Sequence, residues 1–384
     1  MRPKAHEFSR KRTDRICAGR RRQFVLSSEK SVSLQKSIDN MRKLIYYFLL
    51  ATCAMALLPS CEHEEPVDPI KPLEKRTVLV LTYNGEIYDQ TGKLVKQLPN
   101  CVYASEIISD GDDYFVSGVP TKERVGYWKN GKWTTLHVDF IEDVDHWIYG
   151  MGKWDSYIYL LDLPNVLKNS GIFPLEDCEH FTAVDRSLRV SEGKCYVIGS
   201  EPANEDESVP VLYSNRNKDT FKKEYLPMPP GAKSGECRAI YAYDRNYTVI
   251  GGIIDRLPAV WVDKQYKIYE ISAPELLEEG SYPIGRIESI TMAGGHIYAA
   301  GFEYDENQRL TATVWTDGIL KHYMHNDKIE NMSQTVAIYS YGDDVYLLTS
   351  EYDEEIGDAF YLWLNGEVIM SYPGDIGAID FTVL

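Results

Sequence analysis

The sequence predicts an all-β protein, a β-propeller of seven four-stranded blades, and three observations carry that prediction. A short phrase recurs: an apolar strand ending in Gly, a loop, then a strand bearing an aromatic residue. Copies of the first part end in Phe115-Val116-Ser117-Gly118, Tyr196-Val197-Ile198-Gly199, Thr248-Val249-Ile250-Gly251 and Tyr298-Ala299-Ala300-Gly301. Two further copies carry Asp162 and Thr349 in place of the Gly, and the six anchors stand 37 to 52 residues apart. That is the period of a propeller blade. In the following strand Trp128, Leu167, Tyr213, Trp261, Trp315 and Trp363 occupy one place. Turns such as Asn130-Gly131, Asp317-Gly318 and Asn365-Gly366 come right after it. Asn-Gly and Asp-Gly accept positive φ and close tight hairpins.

The third observation is that the ends complement each other. Val78–Thr82, Glu86–Tyr88 and Lys93–Lys96 read as the last three strands of a blade with no first strand before them. Ala378–Val383 reads as a first strand with nothing after it. Pairing the two closes the ring and removes an exposed sheet edge. Six internal blades and one shared blade make seven; the irregular third blade, around Leu167, leaves six or eight open.

Taken in order, residues 1–40 are basic and polar without strand alternation, and read as a stretch upstream of a true start at Met41. Met41-Arg42-Lys43 and the apolar run Leu44–Leu58 have the layout of a signal peptide, too short to span a membrane comfortably. The run ends in Leu58-Pro59-Ser60-Cys61, which resembles the bacterial lipobox. The resemblance implies cleavage at residue 60 and lipidation of Cys61. Residues 61–76, with Glu62-His63-Glu64-Glu65 and three Pro, read as a flexible linker. The acidic cluster resembles the surface-export signal of Bacteroidetes lipoproteins. The propeller is expected over 77–384, with one helical turn near Pro274–Glu278.

Downstream of residue 60 the chain holds 28 Lys+Arg against 54 Asp+Glu, a formal net charge of −26. Nucleic acid needs a basic footprint, so it is excluded as a partner, and docking on anionic membrane surfaces is disfavoured. Contact with the membrane is expected only through the lipid. Cys101, Cys178, Cys195 and Cys237 fall in different blades without paired spacing. They read as free thiols, although export would permit bridges.

The recurrent Trp residues read as packing between blades. Trp133, Trp147 and Trp154 break the pattern and, with Tyr149 and Tyr157, gather in sequence around the segment His137 to His146. Exposed flat aromatics suit sugar rings and protein hot spots alike, so Trp133, Trp147, Trp154 and Tyr149 are the candidate ligand-binding residues. Glu201, Glu303 and Glu351 each follow the Gly-ending strand and open an acidic loop. They are the candidate metal residues, with Ca²⁺ as the cofactor hard oxygen ligands would take; a solvated charge run is the competing reading. His322 and His325 lack a third ligand in the sequence, and no nucleophile elbow, Walker or dinucleotide motif occurs. No catalytic residue is assigned.

Over roughly residues 77–384, the repeated pattern Tyr-x-x-Gly and Ala-x-x-Trp-x-Asn/Asp-Gly behind a lipobox resembles Bacteroidetes repeat lipoproteins with β-propeller folds. The resemblance implies a fold and an outer-membrane, surface-exposed location, and brings no catalytic residues. The expected function is a non-enzymatic, lipid-anchored propeller that presents one face to a glycan or an envelope protein. The alternatives are a glycan hydrolase or lyase with acids meeting at the central channel, and an architectural subunit.

Overall fold

The computed structural model describes residues 76–384, apart from 122–124, 137–146, 170, 205–206, 218–219, 279–282, 326–330, 354–356 and 375–376. The expectations for residues 1–75, Cys61 included, and for the segment 137–146 lie outside the described residues.

Seven four-stranded antiparallel sheets form the blades of a β-propeller. Blade 1 joins Val78–Thr82, Glu86–Asp89 and Leu94–Gln97 to Ala378–Val383, its innermost strand. Val78 pairs with Val383 and Leu81 with Asp380, so the two ends close the ring as the sequence suggests. The innermost strands of blades 2 to 7 are Cys101–Asp110, Ile148–Trp154, Leu188–Ser191, Gly235–Ala242, Gly285–Ala293 and Met332–Tyr341. Successive strands within a blade are joined by hairpins. Every innermost strand therefore begins, and every second strand ends, on one face, called here the connection face. The hairpins that follow the innermost strands lie on the opposite face. The predicted helical turn is a 3-10 turn at Pro274–Glu278.

The core lies between blades rather than within them. Seven apolar clusters are each drawn from two neighbouring blades; Ala239, Val249 and Val260 of blade 5, for example, pack with Ile287, Ala299 and Trp315 of blade 6. A sheet of four strands cannot bury both its faces alone, so each blade is stabilised by its neighbours. The recurrent Trp adds a polar stitch. Nε1 of Trp128 donates to the Pro99 carbonyl (3.1 Å), that of Trp261 to Pro227 (2.8 Å) and that of Trp315 to Glu270 (2.9 Å). Each acceptor belongs to the connection leading in from the preceding blade. Tyr213 does the same through its hydroxyl, to Asp177 (3.2 Å), whereas Trp363 turns inward to Thr349 (2.9 Å).

The recurrent Gly has a different cause. In blades 2, 3, 5, 6 and 7 the innermost strand carries a β-bulge, its extra residue being Ser105, Tyr149, Arg238, Glu288 or Val336. Opposite the bulge the neighbouring strand places Gly118, Asp162, Gly252, Gly301 or Thr349. A Cβ on Gly118, Gly252 or Gly301 would overlap the carbonyl oxygen of Tyr103, Glu236 or Arg286. The equivalent residue in blade 5 is thus Gly252, correcting the sequence assignment to Gly251. Trp261 pairs with Ile250, two residues before Gly252, as Trp315 pairs with Ala299, two before Gly301.

Candidate functional site

The innermost strands of all seven blades surround one axial cavity of about 270 Å³. Bulges re-aim side chains and recur beside functional sites; here the bulge residues Arg238 and Glu288 line the cavity, together with Glu106, Lys153, Arg186, Arg189 and Asp380. Acids meeting at a central channel belong to the alternative reading of the sequence, but none of these residues was picked out there and the arginines were not foreseen.

Blade 4 supplies the irregularity that shapes the channel. Thr182 bridges Ser200, and the regular ladder resumes only at Leu188. Between them the chain leaves the sheet, and Arg186 adopts a left-handed φ of 65°. From there Arg186 crosses to the two blades diametrically opposite. Its Nη1 donates to the Val336 carbonyl of blade 7 (3.1 Å) and lies 3.5 Å from the Asp380 carboxylate of blade 1. Arg189 reaches Glu106 of blade 2 at 2.5 Å.

The two carboxylates are also held by backbone. Glu106 accepts from the Met151 amide (2.8 Å) and Asp380 from the Ile107 amide (3.0 Å), each across a blade boundary. Both are buried. Desolvation is the largest influence on each and pushes both carboxyls above their ordinary range, against the pull of the arginines. Farther round the ring, Glu288 accepts from Arg238 Nε (2.7 Å) and Arg286 Nε (2.5 Å).

An aromatic pair stands at the start of the innermost strands of blades 2 and 3, on the connection face. Trp147 stacks on Tyr103 with centroids 4.7 Å apart and remains 44% exposed. The Tyr103 hydroxyl donates to Asp185 (2.8 Å), immediately before Arg186. Burial first, and then Asp185, holds this phenol above its usual range, so it stays a donor. Tyr83, on the same face of blade 1, is also exposed, and its carbonyl accepts from the Ala104 amide (2.8 Å).

The four candidate aromatics do not share one patch. Trp154 and Tyr157 face each other across the hairpin on the opposite face, roughly 20 Å of strand from Trp147 at about 3.3 Å per residue. Trp133 lies on the outermost strand of blade 2, edge-on to Trp128 (4.6 Å), with Nε1 on Thr135 (3.0 Å). Tyr149 is half-buried against the core between blades 3 and 4. Trp147 has the open setting expected of a recognition residue, and its partner Tyr103 was not singled out in the sequence.

Glu201, Glu303 and Glu351 do sit at matching ends of second strands, but each is buried within its own neighbourhood. Glu201 lies 2.6 Å from the Lys223 ammonium and accepts from the Tyr225 hydroxyl (3.1 Å). Glu303 accepts from the Ser272 amide (3.0 Å) and hydroxyl (2.6 Å) and meets His322 Nε2 at 2.5 Å. Glu351 accepts from the His325 amide (2.6 Å). Among the described residues no three His, Cys, Asp or Glu side chains are grouped to hold a metal. The four described cysteines are free thiols, and Cys195 and Cys237 are buried.

No family model matches the chain, and no curated protein matches it. Among solved structures it is similar to YCF48 bound to D1 peptide, at 8% identity, covering 77% of this chain and 83% of that one, with a TM-score of 0.45. It is also similar to a TolB protein from Agrobacterium tumefaciens (9% identity, 80% and 97% coverage, TM-score 0.37). A third is a GH43_1 enzyme from Xanthomonas citri (11% identity, 72% and 93% coverage, TM-score 0.32). The likeness is one of fold alone.

Proposed function

We propose that the chain is a non-enzymatic binding propeller of the cell envelope, anchored through Cys61, whose connection face receives a glycan or protein partner. The observation that carries this reading is the stack of exposed Trp147 on half-buried Tyr103 beside the channel mouth, with the Tyr103 hydroxyl fixed on Asp185. A flat apolar platform edged by polar groups is the usual means of gripping a sugar ring or an aromatic-rich protein surface. The acidic net charge leaves neutral glycans and proteins as partners and disfavours polyanions.

The test is a glycan array, with crosslinking on intact cells, comparing wild type, Trp147→Ala and Trp154→Ala. Loss of capture by the Trp147 variant and retention by the Trp154 variant on the other face is the expected outcome. Equal capture by all three removes the aromatic stack from the site.

A second reading, a glycan hydrolase or lyase, is favoured by one observation: Glu106 and Asp380 are buried, adjacent to the channel and raised above ordinary carboxyl range. Against it, each already holds a guanidinium and a backbone amide, which leaves little capacity for a reacting group. Release of reducing ends that Glu106→Gln abolishes would establish the enzyme.

A further inference from the structure

We propose that the central channel is a binding site for a small organic monocarboxylate, up to the size of a sugar acid, gripped by Arg186, Arg189 and Arg238. This site is separate from the partner face and does not rest on it.

The argument begins with donor capacity. A guanidinium carries five N–H donors in a rigid fork that matches a carboxylate. In Arg186 the hydrogen bonds to Val336 and Asp380 both leave from Nη1. In Arg189 those to Glu106 and Leu188 also leave from Nη1. Arg238 spends Nε on Glu288, and its Nη1 lies 3.6 Å from Glu236. Among the described residues the Nη2 groups of all three have no acceptor. All three side chains line the cavity and are partly open to it, at 19%, 32% and 22%.

Charge points the same way. Among the charged residues that line the cavity, Lys153, Arg186, Arg189 and Arg238 stand against Glu106, Glu288 and Asp380. Lys153 also meets Asp110, and Arg238 lies 3.6 Å from Glu236, but both of these carboxylates stand outside the lining with side chains partly open to solvent. One cation is therefore in surplus, in a chain whose formal charge is −17. A monoanion balances that surplus, whereas a dianion exceeds it, and the half-buried setting strengthens the pairing relative to water. The remaining wall suits a hydroxylated body through Tyr241 and Tyr339 beside apolar Ile290 and Ile338, whereas the hydroxyls of Ser289, Thr291 and Ser340 are already engaged with one another or with backbone carbonyls. A volume of about 270 Å³ falls at the small end of ligand sites.

The probe is D-glucuronate, titrated calorimetrically into the full chain at fixed ionic strength, with D-glucose and sulfate in parallel. Saturable binding of one glucuronate per chain is expected, with glucose at least about tenfold weaker and sulfate unable to compete at equal concentration. Arg238→Gln should weaken glucuronate at least about tenfold, roughly 1.4 kcal/mol, and Glu288 keeps Arg286 in that variant. Should it fold poorly, Arg238→Lys, which retains the charge without the fork, should still lose several-fold. Absence of saturable binding, equal binding of glucose, full competition by sulfate, or an unaffected Arg238 variant that folds would each overturn the proposal. Trp147→Ala should leave glucuronate affinity unchanged, so failure at the channel and failure at the face are read separately.

Discussion

Gly301 faces the backbone carbonyl of Arg286 so closely that no Cβ fits between them. The neighbour is main chain in a bulged strand, so no side chain can swing aside to make room. Gly301→Ala is expected to cost at least about 3 kcal/mol, at the upper end for overpacking. Gly252→Ala, against Glu236, should behave alike. Gly111→Ala, in a hairpin with open space around it and φ of 59°, should cost only about 1 kcal/mol. Denaturant midpoints of the three variants check this; equal losses would refute the bulge as the reason for the repeated Gly.

The Trp stitch separates into packing and hydrogen bonding. Trp315→Phe keeps much of the apolar contact but leaves the Glu270 carbonyl without its Nε1 donor, an expected loss of about 1–3 kcal/mol including the missing ring. Trp315→Ala should lose about 3–5 kcal/mol. Hydrogen exchange on the connection around Glu270 should rise in both variants, since the bond ties that segment to blade 6.

Glu106 gives stability a measurable pH dependence. Its folded-state carboxyl holds a proton to higher pH than in the unfolded chain, chiefly through desolvation. Between the ordinary glutamate range near ~4.3 and that raised value, the native state binds more protons, so stability falls as pH rises. Glu106→Gln lacks this decline. Its stability relative to wild type should therefore improve as pH rises above about 4, the ordinary glutamate range, read from urea midpoints at each pH. A gap that stays constant or narrows would contradict the raised carboxyl.

Glu303 is fully buried and fastens Ser272 in the connection between blades 5 and 6. Glu303→Gln should destabilise by about 1–3 kcal/mol, the cost of disrupting hydrogen bonds to a buried charged group. Faster amide exchange at Ser272 would locate the loss, because its N–H donates to that carboxylate.

The fold was legible because blade period, turn chemistry and complementary ends all point to one topology. What the Gly is for was not legible. It depends on register against a bulge in another strand, so Gly251-Gly252 offers two candidates and only the pairing selects Gly252. The aromatics of blades 2 and 3 are close in sequence, yet a strand carries Trp147 and Trp154 to opposite faces. The residues of the channel escaped notice because alternation alone does not distinguish a polar residue facing an axial cavity from one facing solvent. One signal was present: Glu106, Arg238, Glu288 and Asp380 all fall inside first strands, where apolar residues prevail.

The strand that closes the ring, Ala378–Val383, is the last of the described strands to be synthesised, and it carries Asp380 into the channel. Until it docks, Arg186 lacks its carboxylate and the Ile107 amide lacks its acceptor. Completion of the circle and completion of the charged site are therefore a single event. The Arg189–Glu106 and Arg238–Glu288 pairs need only blades 2, 4, 5 and 6, so what the last strand contributes is the tie that runs from blade 4 across the axis to the seam.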